Sequence, residues 1–216
     1  MKKISLILLV VTLLSSFTLV ACGNKNEETE KGNCIFCGKE LSEESNVSDV
    51  LKNSLCEECF ANTEVGTKIG QRLPSMELEA FDENGLTGEK IDLVTAGQGK
   101  VVVINFWGFY CSSCLEELPH FNKVASENTD DVVFYAIHYG SSIDKGMEYV
   151  KDNYKDSDMI FAKDTEKDEY YDLVTDVPYP AYPHTIVLNK DGIITYTGEG
   201  AIDETTLINE INKARG

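Results

Sequence analysis

The chain has 216 residues, 42% of them hydrophobic and 26% charged, which allows one large domain or two small ones with a sizeable core. Its formal net charge of -18 argues against nucleic acid and bare anionic lipid as partners, because both would repel it. The acidity suits an exported protein that must stay soluble and equally one that attracts basic substrates.

At the N-terminus, Lys2 and Lys3 precede an apolar stretch from Ile4 to Leu14 and then smaller residues up to Cys22, the layout of an export signal. The stretch is short for a membrane span, although an uncleaved anchor helix is the competing reading. Leu19-Val20-Ala21-Cys22 resembles the lipobox of bacterial lipoproteins. That resemblance implies removal of residues 1–21, lipidation of the Cys22 sulfur, and a protein held on the extracytoplasmic face of the cell membrane. Cys22 is also the odd cysteine, since the other six of the seven fall into three C-x-x-C pairs.

Residues 22–31 offer almost nothing to bury and read as a solvated tether. Residues 32–62 hold Cys34-Ile35-Phe36-Cys37-Gly38 and, after 18 intervening residues, Cys56-Glu57-Glu58-Cys59. A unit of this size buries too little to stand alone and needs a metal or disulfides. Two such knuckles match the spacing of a tetrahedral four-thiolate zinc site, with Gly38 suited to the turn around the metal. The module resembles a zinc ribbon, which implies structural zinc on Cys34, Cys37, Cys56 and Cys59. Two disulfides or a second dithiol site are the alternative in an oxidising compartment.

From residue 66 to 216 strand and helix signals alternate, as in an α/β domain. Met76 to Phe81 is a strand candidate, ended by the turn-prone Asp82-Glu83-Asn84-Gly85, with Lys90 to Leu93 a short return. Val101 to Phe106 is a continuous β-branched run suited to the middle of a sheet. A helix is expected from Ser112 to Glu127, interrupted by Pro119. Val132 to Ile137 is a second buried strand, and Ile143 to Tyr154 has helical spacing in Met147, Val150 and Tyr154. The charged stretch from Asp152 to Glu169 reads as a solvated face with loops. Thr185 to Leu188 and Ile193 to Tyr196 flank the hairpin signal Lys190-Asp191-Gly192. A closing helix is capped by Asp203 and turns Leu207, Ile208, Ile211 and Ala214 to one side.

Cys111-Ser112-Ser113-Cys114 falls where a buried strand passes into a helix. There the first thiol meets unpaired N–H groups and the positive end of the helix dipole, both favouring its thiolate. Cys111 is then the nucleophile, and Cys114, one turn on, resolves the mixed disulfide. Asn105-Phe106-Trp107-Gly108-Phe109-Tyr110-Cys111 through Cys114-Leu115-Glu116-Glu117-Leu118-Pro119 resembles the active-site segment of TlpA/ResA-like thioredoxins. In place of that family's usual residues stand Gly108 for Ala and Tyr110 for Trp.

The resemblance implies a thioredoxin-like fold, a central mixed sheet flanked by helices, and a redox-active Cys111–Cys114 disulfide. It implies that Trp107, Tyr110, Tyr182 and Pro183 meet substrate, with Pro183 cis and the Tyr182 backbone free to pair with an extended segment. It also gives Glu117 the proton-handling part, because Asn105 stands where ordinary thioredoxin has a titratable Asp; a surface glutamate is the plain alternative. His184 reads as an exposed loop residue, and Pro119 as a kink in the active-site helix.

The resulting expectation is a membrane-anchored thiol-disulfide oxidoreductase that reduces disulfides of exported proteins with electrons from a membrane thiol-disulfide carrier. A disulfide-forming oxidase uses the same cysteines, but such oxidants usually carry His between them, where this chain has Ser112-Ser113. A zinc- or copper-handling lipoprotein is the third reading. Copper carriers on this fold favour C-x-x-x-C, which disfavours it, and the residues before Cys111 lack a peroxidase's Pro and Thr arrangement.

Overall fold

The computed structural model describes residues 63–93, 99–165, 167–175 and 181–216. The expected signal, tether and four-cysteine module, including Cys22, Cys34, Cys37, Cys56 and Cys59, lie outside the described residues. Seven strands form one sheet: β1 (Glu77–Asp82), β2 (Gly85–Asp92), β3 (Val101–Trp107), β4 (Val132–His138), β5 (Ile160–Lys163), β6 (His184–Leu188) and β7 (Ile194–Glu199). The helices are α1 (Ser112–Ser126), α2 (Ile143–Asn153), α3 (Glu169–Val174) and α4 (Glu204–Arg215). No helix among the described residues is long and apolar enough to cross a membrane.

Strand order is β2-β1-β5-β4-β3-β6-β7. The inner trio β5-β4-β3 is parallel, and the remaining neighbours pair antiparallel. This is the mixed sheet flanked by helices of the thioredoxin-like fold. All seven residues of β3 are buried, as expected for a strand covered on both faces. Side chains alternate along it: Val101, Val103 and Trp107 join one core cluster with Leu118 and Phe121 of α1 and Leu207 and Ile211 of α4. Val102, Ile104 and Phe106 join the other with Tyr170 and Tyr171 of α3. By the same alternation Asn105 belongs to the α1 face, a polar position in an otherwise apolar row.

Most element boundaries move by a residue or two from expectation, but three differences are larger. The return strand is the eight-residue β2, whose exposed polar residues suit a sheet edge. Helix α1 runs through Pro119 without a break; the exposed proline costs one backbone hydrogen bond, and the helix is held by its buried face of Leu118, Phe121, Val124 and Ala125. The stretch from Asp152 to Glu169 is not merely a solvated face. It contains β5, an interior strand whose Phe161 pairs with Phe81 of β1 and Ala136 of β4.

Candidate active site

Cys111 is the N-cap of α1, and its sulfur accepts a hydrogen bond from the Cys114 N–H at 3.1 Å. Cys111 and Cys114 are joined as a disulfide, with Cα atoms 5.2 Å apart. No acidic residue stands in the first turn of α1. Once the bond is reduced, the same N–H group and helix dipole stabilise a Cys111 thiolate with no nearby first-turn carboxylate opposing it. Cys114 is fully buried, while Cys111 is partly open to solvent. Of the two sulfurs, an incoming substrate can reach only the first.

Glu117 follows on the buried side of the same helix and is 2% exposed, so it is not a surface residue. Its Oε1 accepts from Asn105 Nδ2 at 2.7 Å, and its Oε2 accepts from the Ile202 N–H at 3.1 Å. Asn105 Nδ2 also reaches Thr185 Oγ1 at 3.3 Å. Burial pushes the Glu117 carboxyl up to about 7, against the lowering effect of those two donors. A carboxyl poised there can hold or release a proton near neutral pH. Glu116 points outward into solvent, as its neighbouring helical position requires.

The Tyr182-Pro183 peptide bond is cis. The Tyr182 carbonyl oxygen lies 3.6 Å from Cys111 Sγ, so the turn before β6 borders the disulfide. That turn is anchored from α3: the Tyr171 hydroxyl accepts from the Ala181 N–H at 2.8 Å and donates to the Ala181 carbonyl at 3.0 Å. Tyr110 is 80% exposed beside Cys111 and Tyr182 is 37% exposed, and both are open to a docked chain.

Trp107 does not share that exposure. It is fully buried in the cluster that contains Cys114, with its ring edge-on to His138 at 4.9 Å. The side chain therefore shapes the floor beneath the site and offers substrate no surface, because the position is an inward one on a two-sided strand. His184 departs from expectation as well: it is 3% exposed, and its Nε2 pairs with Thr197 Oγ1 at 2.9 Å. Burial lowers its pKa to about 4, so it is neutral at physiological pH.

His138, at the end of β4, has no place in the sequence-based site. It is buried, and its Nε2 accepts from the Phe109 N–H at 3.4 Å and lies 3.4 Å from Ser142 Oγ. It thereby ties down the loop leading to Cys111. Burial holds its pKa near 4, which preserves the accepting nitrogen. The available signal was a polar residue at the carboxyl end of a buried strand, beside the end of β3, where sites of α/β sheets gather.

Residues 69–197, which include Cys111, Cys114, Glu117 and Pro183, match the model of the AhpC/TSA family. The chain belongs to that family. Within this AhpC/TSA chain, 135 residues are 30% identical to the thioredoxin-like protein YneN of Bacillus subtilis, covering 62% of this chain and 74% of the relative. The thiol-disulfide oxidoreductase ResA of the same organism is 26% identical over 144 residues, covering 66% and 74%. Among solved structures, one described as a candidate thioredoxin from Neisseria meningitidis is 28% identical with a TM-score of 0.53, covering 65% of this chain and 87% of that one. Together with the dithiol geometry, these similarities make the chain a thiol-disulfide oxidoreductase of the thioredoxin superfamily.

Proposed function

We propose that this oxidoreductase reduces disulfides of exported proteins at the outer face of the cell membrane, tethered through lipid on Cys22. The observation that carries the reading is the pairing of a helix-capping Cys111 with a buried Glu117 poised near neutrality on the same helix. In the reduced enzyme the Cys111 thiolate attacks one sulfur of a substrate disulfide, forms a mixed disulfide and releases the other substrate sulfur as a thiolate. Cys114, losing its proton toward Glu117, attacks Cys111 Sγ and releases the second substrate thiolate. Two electrons have then passed to the substrate, and Cys111–Cys114 is oxidised. Its re-reduction requires a dithiol donor, for which a membrane thiol-disulfide carrier is the fitting class.

The absence of His between the two cysteines supports reduction over oxidation. The four cysteines of residues 32–62 have the spacing to hold a structural zinc ion, which would supply the folding energy that so small a unit lacks. The reduction potential of Cys111–Cys114 tests the direction. A value near about -270 mV supports a reductase, and one near about -120 mV sinks it in favour of an oxidase. A Cys114→Ser variant should accumulate mixed disulfides with exported proteins, which identifies the substrates; trapping nothing would count against exchange at Cys111.

A further inference from the structure

Every residue of β6 is buried, and its side chains alternate between the two cores as those of β3 do. Ile186 and Leu188 join the cluster on the α3 face, and Val187 joins the one on the α1 face. Thr185 therefore shares the α1 face with Val187, fully buried in an apolar row where valine has the same shape. Its register partner across the antiparallel β3–β6 pair is Asn105, the polar position of β3 on that face. The Asn105 amide nitrogen carries two hydrogens, and each has an acceptor: Glu117 Oε1 at 2.7 Å and Thr185 Oγ1 at 3.3 Å. The amide oxygen is buried and has no hydrogen-bond partner among the described residues. Turned over, the amide would set that oxygen against the Glu117 carboxyl, which only the protonated acid tolerates. As it stands the amide donates, and donation favours the charged form. The titratable groups around Glu117 are Cys114, one turn earlier on the buried side of α1, and Tyr196 of β7. Tyr196 feels the charges of Glu117 and, from α4, of Glu210 and Lys213, but burial raises its hydroxyl and keeps it neutral. What acts on Glu117 itself is burial, opposed by its two donors, Asn105 and the Ile202 N–H.

We propose that Thr185 is a positioning residue for Glu117: by accepting the second N–H of Asn105 it holds that amide as a donor to the carboxylate, and so favours the ionised acid that receives the proton of Cys114. The threonine acts through Asn105 rather than on either sulfur. This inference rests on Glu117 as the proton acceptor of Cys114 and is independent of the direction of electron flow.

The test follows the Glu117 carboxyl carbon by NMR as the full-length oxidised protein is titrated. Thr185→Val keeps the shape and removes the acceptor, which strands a buried N–H whenever the amide donates to the ionised acid. The Glu117 midpoint should rise by about 0.5 to 1 on the pH scale, the size of one hydrogen bond, and Thr185→Ser should keep the wild-type midpoint. In an Asn105→Leu background, where the donor itself is gone, Thr185→Val should move the midpoint no further. A midpoint unmoved by Thr185→Val, or moved equally with and without Asn105, overturns the proposal. Should Asn105→Leu not fold, the wild-type protein decides: Asn105 amide protons must lie in contact with the Thr185 side chain when Glu117 is ionised, and the lack of that contact overturns the proposal equally. If the carboxyl midpoint moves with Thr185→Val while the inflection of the pH-rate profile stays, Thr185 positions Glu117 but Cys114 gives its proton elsewhere, and the proton-handling reading alone fails.

Discussion

Two buried carboxyl groups, Glu117 beside the dithiol and Asp164 at the end of β5, are both pushed upward in pKa by burial, yet they are solvated in different ways. Asp164 accepts three backbone N–H groups, from Thr165 at 2.6 Å, Tyr170 at 2.9 Å and Tyr171 at 2.8 Å. Glu117 accepts one side-chain amide and one backbone N–H. Three converging backbone donors make Asp164 a structural tie that starts α3, whereas Glu117 is left with enough unmet desolvation to titrate near neutrality. The two sites thus differ in the number and kind of donors that meet a buried carboxylate.

Substitutions at the two sites should break along that line. Asp164→Ala leaves three N–H groups, two of them buried, without their acceptor, and a loss of about 2 kcal/mol or more of stability is expected in denaturant unfolding, because each orphaned buried group costs about 1–3 kcal/mol. A stability unchanged by this substitution would remove the structural half of the contrast. Glu117→Gln should lower the rate of disulfide reduction on the order of a hundredfold, the lower range for a lost acid-base group. It should also abolish the inflection near pH 7 in the pH-rate profile, and an inflection that persists would assign the titration elsewhere.

A smaller effect concerns stability against pH. Because the folded-state pKa of Glu117 is raised from 4.5 to about 7, the folded protein binds more protons than the unfolded chain between those values. The linkage then makes wild-type stability fall as pH rises through that window and level off above it. Glu117→Gln should flatten this decline, which unfolding midpoints measured between pH 4 and 8 would reveal. Smaller still in scope is Gly146→Ala on α2, whose Cβ would stand 2.5 Å from the His138 ring. Overpacking there should cost about 1–3 kcal/mol. It should also loosen the Phe109 N–H contact, read as slower reaction of Cys111 with an alkylating reagent in the reduced, folded protein.

Much of this site could be read from the sequence because its residues are close together in the chain. Asn105, Cys111, Cys114 and Glu117 span one strand end and the first two turns of one helix, so helical spacing sets Cys114 and Glu117 on the side of Cys111, and the resemblance to TlpA/ResA-like thioredoxins supplied the roles of Asn105 and Glu117. His138, Tyr171 and Ile202 escaped because they reach the site from other elements. The strand β5 escaped for a related reason: four residues, Ile160–Lys163, among charged neighbours give no periodic signal, and only its pairing between β1 and β4 makes them a strand.

The sequence by itself determined the buried strands β3, β4 and β6, the helix capped by Cys111 and the choice of nucleophile, because those depend on local patterning and on the chemistry of a thiol at a helix N-terminus. Only the tertiary structure decided that Glu117 is buried and poised near pH 7, that Trp107 is a floor and not a contact, and that Thr185 of β6 meets Asn105. Burial, desolvation and ring packing are properties of what surrounds a residue, and those surroundings come from segments distant in the chain.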